Sequence, residues 1–150
     1  MISLIEINEE NYQTVCELSV SEEQQNYVAS PVSILARAYA KRKFNAQALA
    51  IVHNETIIGV IMYLELHDDP ACYTIEQLLI DYKYQNKGYG QVALKLVMDI
   101  LASERKYEAI EICVKKSALQ AMRVYTNAGF VDTGYTDPNE PDSYILRYEF

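Results

Sequence analysis

The sequence predicts an α/β fold in which one mixed sheet has helices on both faces. Three observations carry this prediction. Segments with the period-2 alternation of strands interchange along the chain with segments of helical period. A meander of three strands precedes a glycine turn, and alternating helices and strands follow it. Half of the 150 residues are apolar, which is enough for a substantial core in a single domain spanning 1–150.

The first part of the chain predicts one strand and three short helices. Apolar and polar residues alternate over Ile2–Ile7, as in a half-buried strand. Asn8 is a good N-cap for the first helix, and two glutamates follow it. Ser21 and Gln24 have the spacing of a capping box. The three predicted helices run from Asn8 to about Leu18, from Ser21 to Val28, and from Pro31 to about Arg42.

The meander comes next, and the remaining chain alternates between helix and strand. Asn54-Glu55 is a hairpin-type turn between the first two meander strands. The meander strands are Gln47–Val52, Thr56–Leu66 and Cys72–Ile80. The later elements are a helix from Gly88 to about Ser103, a strand over Glu108–Val114, a helix capped by Ser117 that ends near Asn127, and strands over Phe130–Tyr135 and Ser143–Phe150.

The net charge and the composition of the chain limit the kinds of molecule that it is expected to bind. The net charge of −8 and the pI near 4.7 argue against nucleic acid and anionic membranes and suit a cationic partner. The three scattered cysteines and two histidines indicate neither a disulfide framework nor a metal site; Cys113, inside a strand, is expected to be buried filler. No apolar run reaches the ~18 residues of a membrane span, and the N-terminus does not resemble a signal peptide. We therefore expect a cytoplasmic protein.

The most informative segment is the turn Gln85-Asn86-Lys87-Gly88-Tyr89-Gly90, which lies between a strand and a helix. Helix N-terminal amides are unpaired, and together with the helix dipole they form an anion site that the glycines open to close approach. We expect a phosphorylated ligand. The stretch Gly88 to Ala93 also fits G-x-G-x-x-A, with Glu111 about 20 residues on. The roughly 80 residues in front of the turn argue against that dinucleotide fold.

Two motifs together resemble the signatures of the GCN5-related N-acetyltransferase (GNAT) family. Gln85 to Gly90 matches the acetyl-CoA signature Q/R-x-x-G-x-G/A, and a later helix carries A-x-x-x-Y-x-x-x-G-F. The second motif is made of Ala121, Tyr125, Gly129 and Phe130. The resemblance covers essentially the whole chain. It implies a mostly antiparallel central sheet, with helices on both faces and a splayed strand pair around the cofactor.

The resemblance implies transfer of an acetyl group from acetyl-CoA to a primary amine, by direct attack in a ternary complex and without a metal. Within the family, Tyr73–Asp81 and Leu18–Ser21 with Tyr27 resemble bacterial spermidine/spermine acetyltransferases. A polyamine is therefore the expected acceptor. Dimers are common among similar proteins, so a homodimer is also an expectation.

The same resemblance implies which residues hold acetyl-CoA. Backbone groups near the end of the third meander strand would pair with the pantetheine arm, and the Leu79 amide would face the thioester oxygen. Amides of the glycine turn would hold the pyrophosphate. Ala118 stands where the family often has asparagine, so Ser117 is the candidate for that contact. The expected cofactor-binding residues are Leu78, Leu79, Ile80, Gln85, Asn86, Lys87, Gly88, Tyr89, Gly90, Gln91 and Ser117.

Glu76 and Tyr125 are the expected catalytic residues. An alkylammonium group has a pKa near 10, so only about one in a thousand is neutral near pH 7, and a nearby carboxylate is needed to take its proton. Glu76 matches the position from which polyamine acetyltransferases present a glutamate, and strict alternation places it on the same face as Thr74 and Leu78. Tyr125 would protonate the leaving thiolate.

The acceptor pocket is expected, by family analogy, to be bordered by acids that suit several ammonium groups. These acids are Glu22, Glu23, Glu65, Asp68 and Asp69. Two other functions remain open at the level of sequence. One is acetylation of a protein or peptide, at its N-terminus or at a lysine. The other is a non-catalytic acetyl-CoA-binding regulatory module, which would keep the glycine turn but need neither Glu76 nor Tyr125.

Overall fold

The computed structural model describes all 150 residues, and its strands form one seven-stranded sheet. The strands are β1 (Ile2–Glu6), β2 (Gln47–His53), β3 (Thr56–Leu66), β4 (Cys72–Ile80), β5 (Ala109–Lys115), β6 (Val131–Asp132) and β7 (Ser143–Glu149). Their spatial order is β1-β2-β3-β4-β5-β7-β6. Only the central β4–β5 pair is parallel. The predicted mixed, mostly antiparallel sheet is confirmed.

Four α-helices cover the two faces of this sheet. They are α1 (Tyr12–Cys16), α2 (Pro31–Ala40), α3 (Tyr89–Glu104) and α4 (Leu119–Asn127), with 3-10 turns at Glu22–Asn26, Arg42–Phe44 and Tyr82–Tyr84. Val15 and Ile34 of α1 and α2 pack on one face, with Met62 of β3. Leu94 of α3 and Tyr125 of α4 pack in a larger cluster on the other face. We call these the α1–α2 face and the α3–α4 face.

Several element boundaries differ from the predicted ones. Helix α1 is shorter, because Asn8 does not cap it: the Asn8 Oδ1 accepts from the amides of Glu10 (2.8 Å) and Asn11 (3.2 Å) and so closes a local turn. Ser117 does not cap α4 either; the N-cap position is Ala118, which has no side chain to serve as a cap. The predicted strand over Phe130–Tyr135 is reduced to the short β6.

Strand β4 contains one more residue than the part of β3 that it faces. Met62 lies opposite Gln77 and Tyr63 lies opposite Ile75, so Glu76 is the extra residue of a β-bulge. The bulge turns Glu76 and Gln77 to the α1–α2 face. There Lys41 contacts the Glu76 carboxylate, and the Ala29 amide donates to the Gln77 side chain. Leu78 packs instead against the cluster of the α3–α4 face. The expectation that Glu76 and Leu78 share a face is wrong, because the bulge interrupts the alternation.

The two parallel strands at the centre of the sheet separate soon after they meet. β4 and β5 pair only at Tyr73 with Ile110 and at Thr74 with Glu111. The bulge follows two residues later, and bulges bend and twist the strand that carries them. We call the gap beyond this pairing, between the later residues of β4 and β5, the β4–β5 slot. It opens toward the glycine turn at the start of α3.

Candidate active site

The glycine turn presents a row of unpaired amides at the end of the β4–β5 slot. Gly88 is the N-cap of α3 and has φ +82°, a conformation that L side chains rarely adopt, and Asn86 has φ +62°. None of the amides of Asn86–Gln91 donates to an acceptor within the protein. These amides and the helix dipole provide the anion site that the sequence predicts. Lys87 is exposed beside them and makes no ion pair.

Gln85 fixes the turn to two neighbouring segments through its side-chain amide. Its Nε2 donates to the Ile80 carbonyl oxygen (2.8 Å) and to Gln24 Oε1 (2.9 Å). In return, Gln24 Nε2 donates to Gln85 Oε1 (2.8 Å). On the other side, the Tyr89 ring stacks on His53 with 4.6 Å between centroids. The motif glutamine therefore positions the anion-binding loop and joins it to the Glu22–Asn26 turn.

The backbone of β4 shows which amides face the slot. The Asp81 amide donates to the Ile58 carbonyl of β3 (2.8 Å), and the Leu79 carbonyl lies against Gly59 of β3, where an added Cβ would be 2.3 Å from it. Because backbone groups alternate along a strand, Leu79 faces β3 while Leu78 and Ile80 face the slot. The expectation that the Leu79 amide faces the cofactor is wrong for this reason. The Leu78 amide points into the slot instead.

Asp81 is a structural residue that the sequence reasoning missed. Its carboxyl group is buried, with 3% of the residue exposed, and no cation pairs with it. Instead it accepts from the backbone amides of Ser19 and Lys83, both at 3.0 Å. These bonds tie the end of β4 to the segment after α1. The only sequence signal is an aspartate directly after a strand, which is common at turns.

Glu76 lies on the bulge, at the start of the slot, and its carboxylate already binds an ammonium group. Lys41, at the C-terminus of α2, places its Nζ 2.9 Å from each carboxylate oxygen. Arg37 Nη1 is 3.7 Å from Oε1. The Glu76 side chain is 19% exposed, whereas those of Lys41 and Arg37 are nearly half exposed. The carboxylate is thus accessible from the α1–α2 face.

Tyr125 lies on α4 and is buried against Phe130, with 6.0 Å between the ring centroids. No protein group hydrogen-bonds its hydroxyl. Burial raises the pKa of the Tyr125 phenol to about 12. The phenol therefore stays protonated at neutral pH and is available as a hydrogen-bond or proton donor.

Two groups of the predicted acceptor acids lie in different places. Glu22 and Glu23 are exposed on the 3-10 turn that Gln24 joins to the glycine turn, close to the open end of the slot. Asp68 and Asp69 are exposed in the β3–β4 connection, at the opposite, paired end of β4. Only the first pair is brought to the site.

Glu65 belongs to a separate network on the α3–α4 face. Lys106 Nζ contacts both of its carboxylate oxygens (2.9 and 2.8 Å), and Asn45, His67 and Tyr107 also bond it. Burial opposes ionisation of this carboxyl, but these hydrogen bonds outweigh it and lower its pKa to about 2. The expectation that Glu65 borders the acceptor pocket is wrong, because it lies opposite Tyr73, where the slot is closed, and on the other face from Glu76.

Other acids, which the sequence reasoning missed, lie on the same sheet face as Glu76. Glu111 and Cys113 of β5 point to this face, since their neighbours Ile110 and Ile112 pack on the other. Desolvation raises the pKa of the Cys113 thiol, and the charges of Glu140 and Asp137 raise it further, so these loop acids lie near it. Cys113 is exposed, and the expectation that it is buried is wrong.

Ser117 is exposed before α4, and its hydroxyl makes no hydrogen bond within the protein. No group of three or more His, Cys, Asp or Glu side chains is arranged to hold a metal ion. None of the helices combines the length and the apolar character that crossing a membrane requires.

The geometry fits acetyl-CoA on two independent counts. The unpaired amides of Asn86–Gln91 suit its pyrophosphate. The unpaired backbone groups of Leu78 suit its pantetheine arm, which can hydrogen-bond to them as a neighbouring strand would. A dinucleotide fold is not supported, because that fold uses a mostly parallel sheet and here only one strand pair is parallel.

Comparison with known proteins agrees with this geometry. The spermine/spermidine N(1)-acetyltransferase of Bacillus subtilis is 26% identical over 143 residues, covering 92% of this chain and 93% of the relative. The aminoglycoside N(6')-acetyltransferase type 1 of Klebsiella pneumoniae is 30% identical over 84 residues, covering 55% of this chain and 42% of the relative. The crystal structure of aminoglycoside acetyltransferase AAC(6')-Ib in complex with coenzyme A superposes with a TM-score of 0.80 at 18% identity, covering 99% of this chain and 95% of that one.

The family model for the acetyltransferase (GNAT) family matches residues 3–130. Together with the slot, the amide row and the named relatives, this match removes the non-catalytic module from consideration. The chain belongs to the GNAT family and is an acetyl-CoA-dependent N-acetyltransferase.

Proposed function

We propose that the enzyme acetylates a primary amine of a polyamine such as spermidine or spermine, by direct attack in a ternary complex. One observation carries the proposal: the Glu76 carboxylate, beside the slot, binds an ammonium group at 2.9 Å through both oxygens. The site is therefore built to hold the charged form of an amine. The same carboxylate is placed to take a proton from it.

Glu76 acts as the base in this mechanism. The acceptor ammonium must displace Lys41 from the carboxylate and then lose a proton to it, directly or through water. Arg37, 3.7 Å away, stays as a second positive group near the carboxylate. The neutral nitrogen attacks the thioester carbonyl carbon; the C–N bond forms as the C–S bond breaks.

Two further groups complete the reaction. When bound, acetyl-CoA supplies an acyl group activated as a thioester. The Leu78 amide, which faces the slot, donates to the carbonyl oxygen as negative charge develops on it. The Tyr125 hydroxyl gives its proton to the thiolate that leaves, and the second proton of the acceptor nitrogen then returns to the phenolate, directly or through water. Ser117 is proposed as an additional contact to the cofactor.

Acidic residues around the open face support a polycationic acceptor. Glu22 and Glu23 lie near the open end of the slot, and Asp137 and Glu140 lie near Cys113 on the Glu76 face. The Bacillus subtilis relative that matches over nearly the whole chain is named for spermine and spermidine. An aminoglycoside is the second candidate, because the partial match is to an aminoglycoside acetyltransferase, whose substrate class is also polycationic.

The test measures thiol release from acetyl-CoA with spermidine, spermine, kanamycin, lysine and an alanine-starting peptide as separate acceptors. We expect release with the polyamines, lowered by about 10²–10⁴-fold in Glu76→Gln, while acetyl-CoA still binds to the variant. Release with kanamycin alone would replace the polyamine with an aminoglycoside. Release with the peptide alone would favour a protein acceptor, and full activity in Glu76→Gln would remove its role as the base.

A further inference from the structure

We propose that Lys41 is an internal acceptor, so that with acetyl-CoA bound and no amine substrate present the enzyme acetylates its own Lys41. The inference rests on the proposed role of Glu76. The observation behind it is that the Lys41 Nζ lies 2.9 Å from both oxygens of the Glu76 carboxylate, which is proposed to hold the acceptor amine. A primary amine of this protein thus occupies the acceptor position.

No other lysine of the chain shares this position. Lys106 pairs with Glu65, on the opposite face and at the paired end of β4. Lys95 pairs with Asp99 on the exposed side of α3. Lys43 lies two residues after Lys41, is exposed, makes no ion pair, and has its Nζ 5.0 Å from the centroid of the Phe44 ring. Lys43 is therefore an internal control with the same chemistry and nearly the same place in the chain.

The side chain of Lys41 has the access that this reaction requires. It is 43% exposed and extends from the last turn of α2, so its long stem can move without displacing the helix. Its charge is held by Glu76 alone, since no second acid pairs with it. A polyamine that binds Glu76 must displace the Lys41 ammonium and so protects it from acetylation.

Acetylation of Lys41 uses the same bond changes and proton transfers as acetylation of a free amine. The Lys41 ammonium loses one proton to Glu76, and its nitrogen forms an amide bond to the acetyl carbon. The C–S bond breaks, and the CoA thiolate takes a proton from Tyr125. The second proton of the nitrogen then passes, directly or through water, to the Tyr125 phenolate and restores the phenol. The product is a neutral acetyl-lysine, which no longer pairs with Glu76. The Glu76 carboxylate is then left with Arg37 as its nearest cation.

The experiment incubates the whole protein with acetyl-CoA without any amine, digests samples over time, and follows acetylation of Lys41 and Lys43 by mass spectrometry. We expect Lys41 to be modified at least about tenfold faster than Lys43, since a positioned base accelerates such transfers. The rate per molecule is independent of protein concentration, and spermidine suppresses it. In Glu76→Gln, with folding checked by circular dichroism, Lys41 falls to the rate of Lys43.

Equal rates at Lys41 and Lys43 in the wild-type protein would overturn the inference. If polyamines were still turned over through Glu76 in that case, the proposed function would stand and only the inference would fail. Glu76-dependent acetylation of Lys41 without turnover of any amine in the panel would support the inference and sink the proposed acceptors. If the rate of Lys41 acetylation per molecule rose with protein concentration, one molecule would be acetylating another. That result would overturn the inference that Lys41 is an internal acceptor.

Discussion

The two ends of β4 lie between β3 and β5, but only the first end is hydrogen-bonded to both strands. At its start, β4 is paired on both sides, and the nearby Glu65 carboxylate is surrounded by partners from four side chains. At its end, β4 is paired only with β3, and Leu78 directs unpaired backbone groups into the slot. One residue, the bulged Glu76, separates the two regions.

This difference separates stability from binding within a single strand. At the paired end, the Glu65 carboxylate has found protein partners, so a change to that network is expected to alter folding. At the open end, polar groups remain unpaired, and unpaired groups beside a cleft suit a ligand that satisfies them. The following changes test that division, from the largest expected effect to the smallest.

Two buried tyrosines without hydrogen-bonded hydroxyls provide the sharpest test. Tyr125→Phe is expected to lower turnover by about 10²–10⁴-fold, because the leaving thiolate loses its proton donor. Stability changes little, because the hydroxyl has no protein partner. Burial raises the Tyr125 pKa to about 12, so its proton, and the activity that needs it, is lost only as pH rises through that value. Wild-type turnover therefore shows no basic limb from Tyr125 between pH 6 and about 10.

Tyr73→Phe is the matched control at the paired end. Its hydroxyl is buried and makes no hydrogen bond of ordinary length, although burial and then the nearby Glu104 carboxylate raise the pKa of this phenol. Removal of the hydroxyl is expected to leave turnover unchanged and to change the free energy of unfolding little. Steady-state kinetics and urea unfolding measure both quantities. Equal loss of turnover in the two variants would mean that Tyr125 acts through packing and would end its assignment as the acid.

Glu65 is expected to control the acid stability of the paired end. Its pKa is lowered from 4.5 to about 2 in the folded protein, so its stabilising contribution is complete above about pH 4.5 and disappears as the pH falls toward 2. The contribution is about 3 kcal/mol. Urea unfolding at a series of pH values should give a flatter acid slope for Glu65→Gln. An unchanged slope would contradict the role of this network.

Gly59 is expected to be needed for the close approach of β3 to the open end of β4. A Cβ at this position would lie 2.3 Å from the Leu79 carbonyl oxygen, so Gly59→Ala must move the backbone and costs about 1–3 kcal/mol. Gly90→Ala is the control, because its Cβ would be at an ordinary 3.6 Å from Ile80. Thermal unfolding compares the two. A loss in Gly90→Ala as large as that in Gly59→Ala would contradict the argument.

Gln85→Ala is expected to have the smallest effect on stability and a selective effect on cofactor binding. It removes the bonds to the Ile80 carbonyl and to Gln24, which contribute about 1 kcal/mol. The Michaelis constant for acetyl-CoA should rise, since the amide row is less well positioned. Gln120→Ala, whose bonds are 3.3 and 3.4 Å long, should show neither effect. A normal Michaelis constant in Gln85→Ala would refute the positioning role.

Local patterns in the sequence predicted most of the fold and the anion-binding turn. The turn at Asn54-Glu55, the strands β2 to β4 and the start of α3 all depend on neighbours in sequence. The bulge was not predicted, because it is a mismatch between two strands and no single strand encodes it. The errors at Leu78 and Leu79 follow from that missing register. The error at Glu65 follows from the pairing of β4 with β5, which is also a contact between distant segments. The partners of Glu76 could not be predicted from sequence either, because Lys41 is 35 residues away along the chain.

The bulge also makes the site depend on how many residues β4 contains, and not only on which ones. Deleting one residue at Glu76 would restore regular alternation along the strand and remove the carboxylate from the α1–α2 face. Each residue beyond the deletion would keep both its chemical identity and the side to which it points, because Gln77 already lies on the α1–α2 face and Leu78 on the other. A sequence comparison that scores substitutions alone would count such a change as minor, yet it would remove the proposed base while leaving the backbone donors of the slot in place.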